Sequence, residues 1–168
     1  MRAVRNLITG ETIVLPKPID EEVPYEGGVM ITETDPNGII TFANKRFRLM
    51  TGYPKEELIG SPHSIVRHPD MPSAAFAHLW QSIKQGHYWR GYIKSLRKDG
   101  RYFWAIVWIK PKYDQSGQIC GYIANRKVLQ RETIEQIREQ ESQASLQTTH
   151  LNLITIPHDP RPALSVAF

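Results

Sequence analysis

The stretch RYFWAIVWIK, residues 101–110, decides the fold. In extended backbone, Phe103, Ala105, Val107 and Ile109 leave one face and Tyr102, Trp104, Ile106 and Trp108 leave the other. Neither face is polar, so the segment reads as a central strand covered on both sides. Helices or a ligand are expected over one face. A cap, a partner subunit or another protein is expected over the other, with the N-terminal lead-in as the nearest candidate. Working outward, YWRGYIKSL precedes it across the turn Arg97 to Gly100 (RKDG), and QICGYIANRKVL follows it across DQSG. Strands joined by turns this tight pair antiparallel.

Upstream, VMITETD and IITFAN (Ile39 to Asn44) flank Asp35 to Gly38 (DPNG), a hairpin signal. Between that hairpin and the later strands lie short helical pieces. Asn44 opens one as an N-cap, with Phe47 and Met50 at helical spacing. Pro54 at a first-turn position, then Glu56 and Glu57, opens another that stops at Gly60. The segment from Ser61 to Pro72 holds three prolines and is excluded as one continuous helix. From Ser73 the spacing of Phe76, Leu79, Trp80 and Ile83 predicts a longer helix ending at Gly86. Residues 1–28 show little period and read as a lead-in or cap rather than sheet. Residues 129–147 are polar, free of Gly and Pro, and expected to be a helix, with Ile134, Ile137 and Ala144 giving only a fragmentary heptad. Residues 148–168 read as a tail.

Composition narrows the function. With 168 residues, 40% hydrophobic and 23% charged, the chain supports one packed domain with an extension at each end. The net charge of +4 and pI near 9.2 come without a run of basic residues, so no nucleic-acid partner is expected. No apolar run approaches the ~18 residues of a membrane span, and the first residues lack signal-peptide features. The expected compartment is the cytoplasm. Cys120 is the one cysteine; it is expected to be a small core residue, and it builds neither a disulfide nor a thiolate cluster. Nucleophile elbows, phosphate-binding glycine loops and paired carboxylates are absent from the sequence, and no enzyme is expected.

The segments ITFAN, Phe47, Thr51-Gly52-Tyr53 and Glu57-Leu58-Ile59-Gly60 resemble the start of a PAS domain. The segment PHSIVRHPDMP (residues 62–72), with Phe76, Trp80, Trp89-Arg90-Gly91 and Arg97 to Gly100, is similar to the sensory domain of bacterial aerotaxis and energy-taxis receptors. The resemblance covers roughly residues 29–128. It implies an α+β PAS fold: a five-stranded antiparallel sheet with short helices packed on one face, plus an N-terminal cap and a C-terminal helix. It also implies non-covalent FAD and a report of redox state. With no anchor or signalling domain after Leu129, the chain is expected to be the stand-alone version. It would work through a separate methyl-accepting-type transducer or another signalling protein, with a homodimer admitted.

For a dinucleotide of this kind, a pocket wants aromatic walls and a few placed polar groups. Trp80 and Trp89 are candidate walls or ordinary core aromatics. Arg67 and His68 are candidates for charge recognition. Asp70 is read mainly as a cap of the following helix, and Asn44 as a cap or a ligand contact. Ser95 stands where many flavin PAS domains carry asparagine. The proposed switch is a re-pairing of hydrogen bonds near Ser95 that shifts the C-terminal helix or the outer apolar face. The alternatives are a heme sensor with His78 as axial ligand, a flavin reductase and a ligand-free dimerisation module. A covalent flavin–cysteine photosensor is set aside because Cys120 lies in the final strand.

Overall fold

A computed structural model describes residues 2–24 and 27–150, with side chains as far as Ala144. The order is β1 (Ala3–Arg5), β2 (Thr12–Val14), β3 (Met30–Thr34), β4 (Ile40–Ala43), α1 (Lys45–Thr51), α2 (Lys55–Leu58), a 3-10 turn (His63–Val66) and α3 (Ser73–Lys84). It continues with β5 (Trp89–Leu96), β6 (Tyr102–Tyr113), β7 (Ile119–Leu129) and α4 (Arg131–His150). The main sheet has five strands in the order β4-β3-β7-β6-β5, and every pairing is antiparallel. The expected strand set and the α+β class are therefore present. The 148–168 tail lies, from residue 151 on, outside the described residues.

The two faces of β6 sort as its alternation requires. Ser95, Ile93, Gly91 and Trp89 of β5 pair with Phe103, Ala105, Val107 and Ile109, the last three of which pair onward with Val128, Arg126 and Ala124 of β7. This inner face meets α1, the 3-10 turn and α3, through Phe47, Met50, Ile65, Leu79 and Ile83, each 2% exposed or less. On α3 the buried stripe is Phe76, Leu79 and Ile83. Trp80, expected in that stripe, is half-buried: its ring lies over Gly38, where an added Cβ would sit 2.8 Å from the indole, and edge-on to Tyr122 at 5.6 Å.

Four expectations are corrected. The lead-in is not sheet-free: β1 and β2 form their own two-stranded hairpin. That hairpin does not cover the outer face. It packs on the helical side, where Asn6 Nδ2 donates to the carbonyls of Glu56, Glu57 and Ile59 while Oδ1 accepts from the N–H groups of Ile8 and Thr9. The outer face instead receives the first turns of α4. Ile134 is 1% exposed there, and the Arg138 guanidinium stands 5.1 Å over Trp104. Pro54 sits one residue earlier than expected, at the N-cap of α2, because its fixed φ of −71° accompanies an extended ψ of 159°. Cys120 is exposed, not core.

Asn6 has no exposure and satisfies five backbone groups at once. Asn6→Ala removes a partner from each, Glu57 O alone keeping its bond from Ser61 Oγ, and is expected to cost about 2 kcal/mol, read as a drop in urea midpoint with an unchanged slope. A midpoint within error of the wild type would show that the hairpin does not brace α2.

Candidate functional site

The inner face is mostly apolar and carries a polar island around Arg126. β7 presents Tyr122, Ala124, Arg126 and Val128 to the helices by its alternation, and Arg126 is only 3% exposed. Its Nη1 donates to Thr32 Oγ1 at 3.0 Å and its Nη2 to His63 Nε2 at 3.1 Å; Thr32 Oγ1 and His63 Nε2 lie 3.2 Å apart. Arginine carries no acceptor, so His63 Nε2 must present its lone pair and the imidazole proton resides on Nδ1. Thr32 then accepts from Arg126 and donates to His63. The face of Phe47 closes the island, 4.9 Å from the guanidinium carbon and edge-on to His63 at 5.8 Å. Among the described residues no carboxylate is paired with Arg126. Burial alone pulls its pKa down to about 9, which still leaves it charged near neutral pH.

Three further side-chain atoms are buried without a partner: Thr34 Oγ1, Tyr53 OH and Trp89 Nε1. Burial and the nearby Glu57 carboxylate push the Tyr53 phenol up to about 12, so it remains a donor. Between Trp89 and Arg126 the sheet presents Gly91, Val107, Ile109 and Ala124, with the Trp89 ring lying over Gly91. Gly91 is required by its neighbour, since an added Cβ would fall 2.3 Å from the Trp89 ring. That contact gives the Trp-x-Gly spacing its physical reason. An unpartnered indole N–H at Trp89 and spare donors on Arg126 on the inner face fit a ligand with a polar edge, such as a flavin ring.

The residues picked from the sequence do not converge on one point. Trp89 and Ser95 lie on the inner face. Asn44 spends its amide on the fold: Oδ1 accepts from Phe47 N at 3.0 Å and Ile31 N at 3.1 Å, and Nδ2 donates to Val29 O at 2.9 Å. The chain at Arg67 runs beside the free edge of β5, bridged to Ser95, and its guanidinium stacks 3.6 Å from the centre of Phe76. Burial, then the charge of Arg2, lowers its pKa. His68 turns toward the other face, edge-on to Tyr102 at 6.2 Å, with Nδ1 accepting from Asp70 N–H at 3.1 Å. Burial and then Lys94 push His68 down to about 4, so it is neutral near pH 7 and its 3.7 Å approach to Asp70 is no ion pair. Asp70 is exposed and binds Lys94 at 3.0 Å; that hydrogen bond holds its carboxyl below the usual range. It does not cap α3, whose N-cap is Pro72 without a side-chain bond.

Arg126, Thr32, His63, Thr34 and Tyr53 were not singled out from the sequence. The strand parity of YIANRKVL carried the signal for Arg126: counting by two from Tyr122 places an arginine on the apolar side. The axial heme candidate, His78, is exposed on α3. Among the described residues no cluster of three or more His, Cys, Asp or Glu side chains forms a metal site, and no helix is long and apolar enough to cross a membrane. The outer face carries a groove of about 300 Å³ between Tyr88, Arg90, Trp108 and Lys110.

The architecture is a five-stranded antiparallel sheet in the order β4-β3-β7-β6-β5, with helices over one face and a polar island inside. Residues 28–126 match the PAS fold family, and the chain belongs to that family. It is 42% identical over 97 residues to the aerotaxis receptor of Escherichia coli K12, covering 58% of this chain and 19% of the receptor. It is 32% identical over 104 residues to the bacterioopsin transcriptional activator of Halobacterium salinarum, covering 61% of this chain and 15% of the activator. The chain thus spans under a fifth of the length of these curated relatives. A light-oxygen-voltage domain studied with a flavin analogue shares the fold at a TM-score of 0.62 and 20% identity, over 68% of this chain and 87% of that one.

Proposed function

We propose that this PAS sensor domain holds FAD non-covalently between α1–α3 and the inner face of the sheet, and reports the flavin's redox state to a signalling partner. The observation that carries the reading is the buried Arg126 guanidinium on the inner face, with spare donors and no carboxylate partner among the described residues, together with the buried, unpartnered Thr34 Oγ1 and Trp89 Nε1. A native interior leaves such atoms unpaired only at a cost that a bound ligand removes. The similarity to the aerotaxis receptor supports a sensory rather than an enzymatic role, and supports a methyl-accepting-type transducer as the partner in the cytoplasm. When bound, a flavin supplies electron storage and an edge whose hydrogen-bonding pattern changes with its redox state.

This chain's residues do the rest. Trp89 and Phe47 wall the ring, and Ser95 reads its polar edge from β5. Arg67 is bridged to Ser95 through the backbone, so a shift at Ser95 moves the segment that carries His68 and Asp70. His68 packs on Tyr102, whose hydroxyl accepts from Arg131 Nη1 at 3.2 Å at the start of α4. In this reading residues 29–128 are the sensor, residues 1–28 brace it, and the helix from residue 129 carries the output, alone or in a homodimer.

Absorption of the freshly purified protein tests the cofactor. A flavin doublet in the blue, with FAD identified by mass after denaturation, is expected. FMN in its place would correct the nucleotide, and a Soret band would replace flavin by heme. Colourless protein that takes up neither added FAD nor FMN would overturn the reading.

A further inference from the structure

We propose that Arg126 is the anion-recognising residue of the interior site, its guanidinium positioned by Thr32 and His63 to neutralise a negatively charged or electron-rich oxygen edge of the bound ligand. The inference deepens the flavin reading and rests on it for the ligand's identity, but its basis is the charge itself. A guanidinium removed from water without a counter-charge destabilises the fold that contains it, and proteins normally pair such groups or place apolar residues there. Arg126 has neither remedy: Thr32 and His63 are neutral partners, and Phe47 offers only its ring face. Of its five N–H donors, those two bonds use two, so donor capacity remains for a further acceptor. The adjoining strand positions add a second, independent sign, because Thr34, two residues from Thr32 on the same face, is 97% buried with its hydroxyl unpartnered.

The anionic chemistry has two sources in a flavin nucleotide: the phosphate groups and the pyrimidine edge of the ring. On the sheet, Arg126 shares a row with Gly91 across β6, two strand spacings or about 10 Å apart. This row places Arg126 on the same inner face as Gly91 and Trp89, with β6 between them.

Arg126→Met and the wild-type chain, both stripped of ligand, are compared by thermal melting and by fluorescence titration with riboflavin, FMN and FAD. Ligand-free Arg126→Met is expected to melt at or above the wild-type temperature, because the uncompensated charge is gone. Its flavin affinity is expected to fall by ~30-fold or more, the usual consequence of removing one side of a buried charge contact. Loss confined to FMN and FAD assigns Arg126 to phosphate; loss shared by riboflavin assigns it to the ring, and either result supports the proposal. Unchanged affinity for all three flavins overturns it. So does a ligand-free variant that melts well below the wild type or fails to fold, since Arg126 would then serve the fold itself. Arg126→Lys, which keeps the charge, gives a second check: it is expected to bind within about tenfold of the wild type, and binding no tighter than Arg126→Met counts against the proposal. A wild-type chain that takes up no flavin sinks the flavin reading alone, because the ligand-free melting comparison still decides the role of Arg126.

Discussion

Gly121→Ala is expected to lower the melting temperature by about 10 °C, corresponding to roughly 3 kcal/mol for a chain of this size. Gly121 is buried where β7 runs beside the end of β3. A Cβ there would stand 2.2 Å from the Thr34 carbonyl oxygen and 3.3 Å from its carbonyl carbon. Both are main-chain atoms held in the β3–β7 ladder, where Thr34 pairs with Tyr122 and Thr32 with Ala124. No rotamer change relieves the contact, so the strands must separate locally and the ladder loses bonds. The damage reaches the site, because Thr32 and Thr34 take their positions from this pairing. Gly117→Ala is the control: its φ of +83° strains an alanine, but nothing lies within 4 Å of the added carbon. It is expected to cost about 1 kcal/mol. Equal losses in the two variants would show that the close approach to Thr34 is not what requires glycine at residue 121.

The sheet was legible because its signals are local. Alternation over Tyr102 to Ile109 set both faces, and the turns at Arg97–Gly100 and Asp114–Gly117 fixed the neighbours. The α1 start was legible for the same reason, since Asn44 accepts from Phe47 N as an N-cap does. The β1–β2 hairpin was not: its strands are only three residues long, too short for alternation to register in the sequence, and Asn6 beside them reaches across to α2. The site was less legible still. Arg67 has extended backbone, φ −74° and ψ 123°, so successive side chains leave opposite sides and Arg67 and His68 cannot address one ligand group together. Adjacency in the sequence suggested a charge-recognising pair; the backbone separates them around the edge of β5. Arg126 went unnoticed for the converse reason. An arginine flanked by Asn125 and Lys127 reads as solvated strand surface, and only parity with Tyr122 and Ala124 turns it inward.

The acid side of the stability profile follows from His68. Its pKa in the folded chain is about 4 against an ordinary 6.5, lowered first by burial and then by Lys94. Between those values the unfolded chain binds a proton that the folded chain refuses, so protonation favours unfolding. Stability therefore falls as pH drops from about 6.5 toward 4, by up to ~1.4 kcal/mol per unit and about 3 kcal/mol in all. Below pH 4 this group adds no further slope. Asp70, Asp99 and Asp114 have carboxyls held below their ordinary 3.8, so what they contribute is lost only under more acidic conditions. The window belongs to His68 rather than to them. His68→Asn isolates it: the amide oxygen replaces Nδ1 as acceptor for the Asp70 N–H and does not titrate. Urea midpoints measured near pH 7 and near pH 4.5 are expected to differ less in the variant than in the wild type, the difference between the two chains being about 2–3 kcal/mol. Parallel pH profiles would mean that the His68 ring gains a proton in the folded chain as easily as in the unfolded one. The contact on Tyr102, and with it the route from the Arg67–Asp70 segment to α4, would then tolerate a charged imidazolium. A domain whose C-terminal helix is rooted beside a neutral, buried histidine should instead weaken on mild acidification, and that weakening should vanish with His68→Asn.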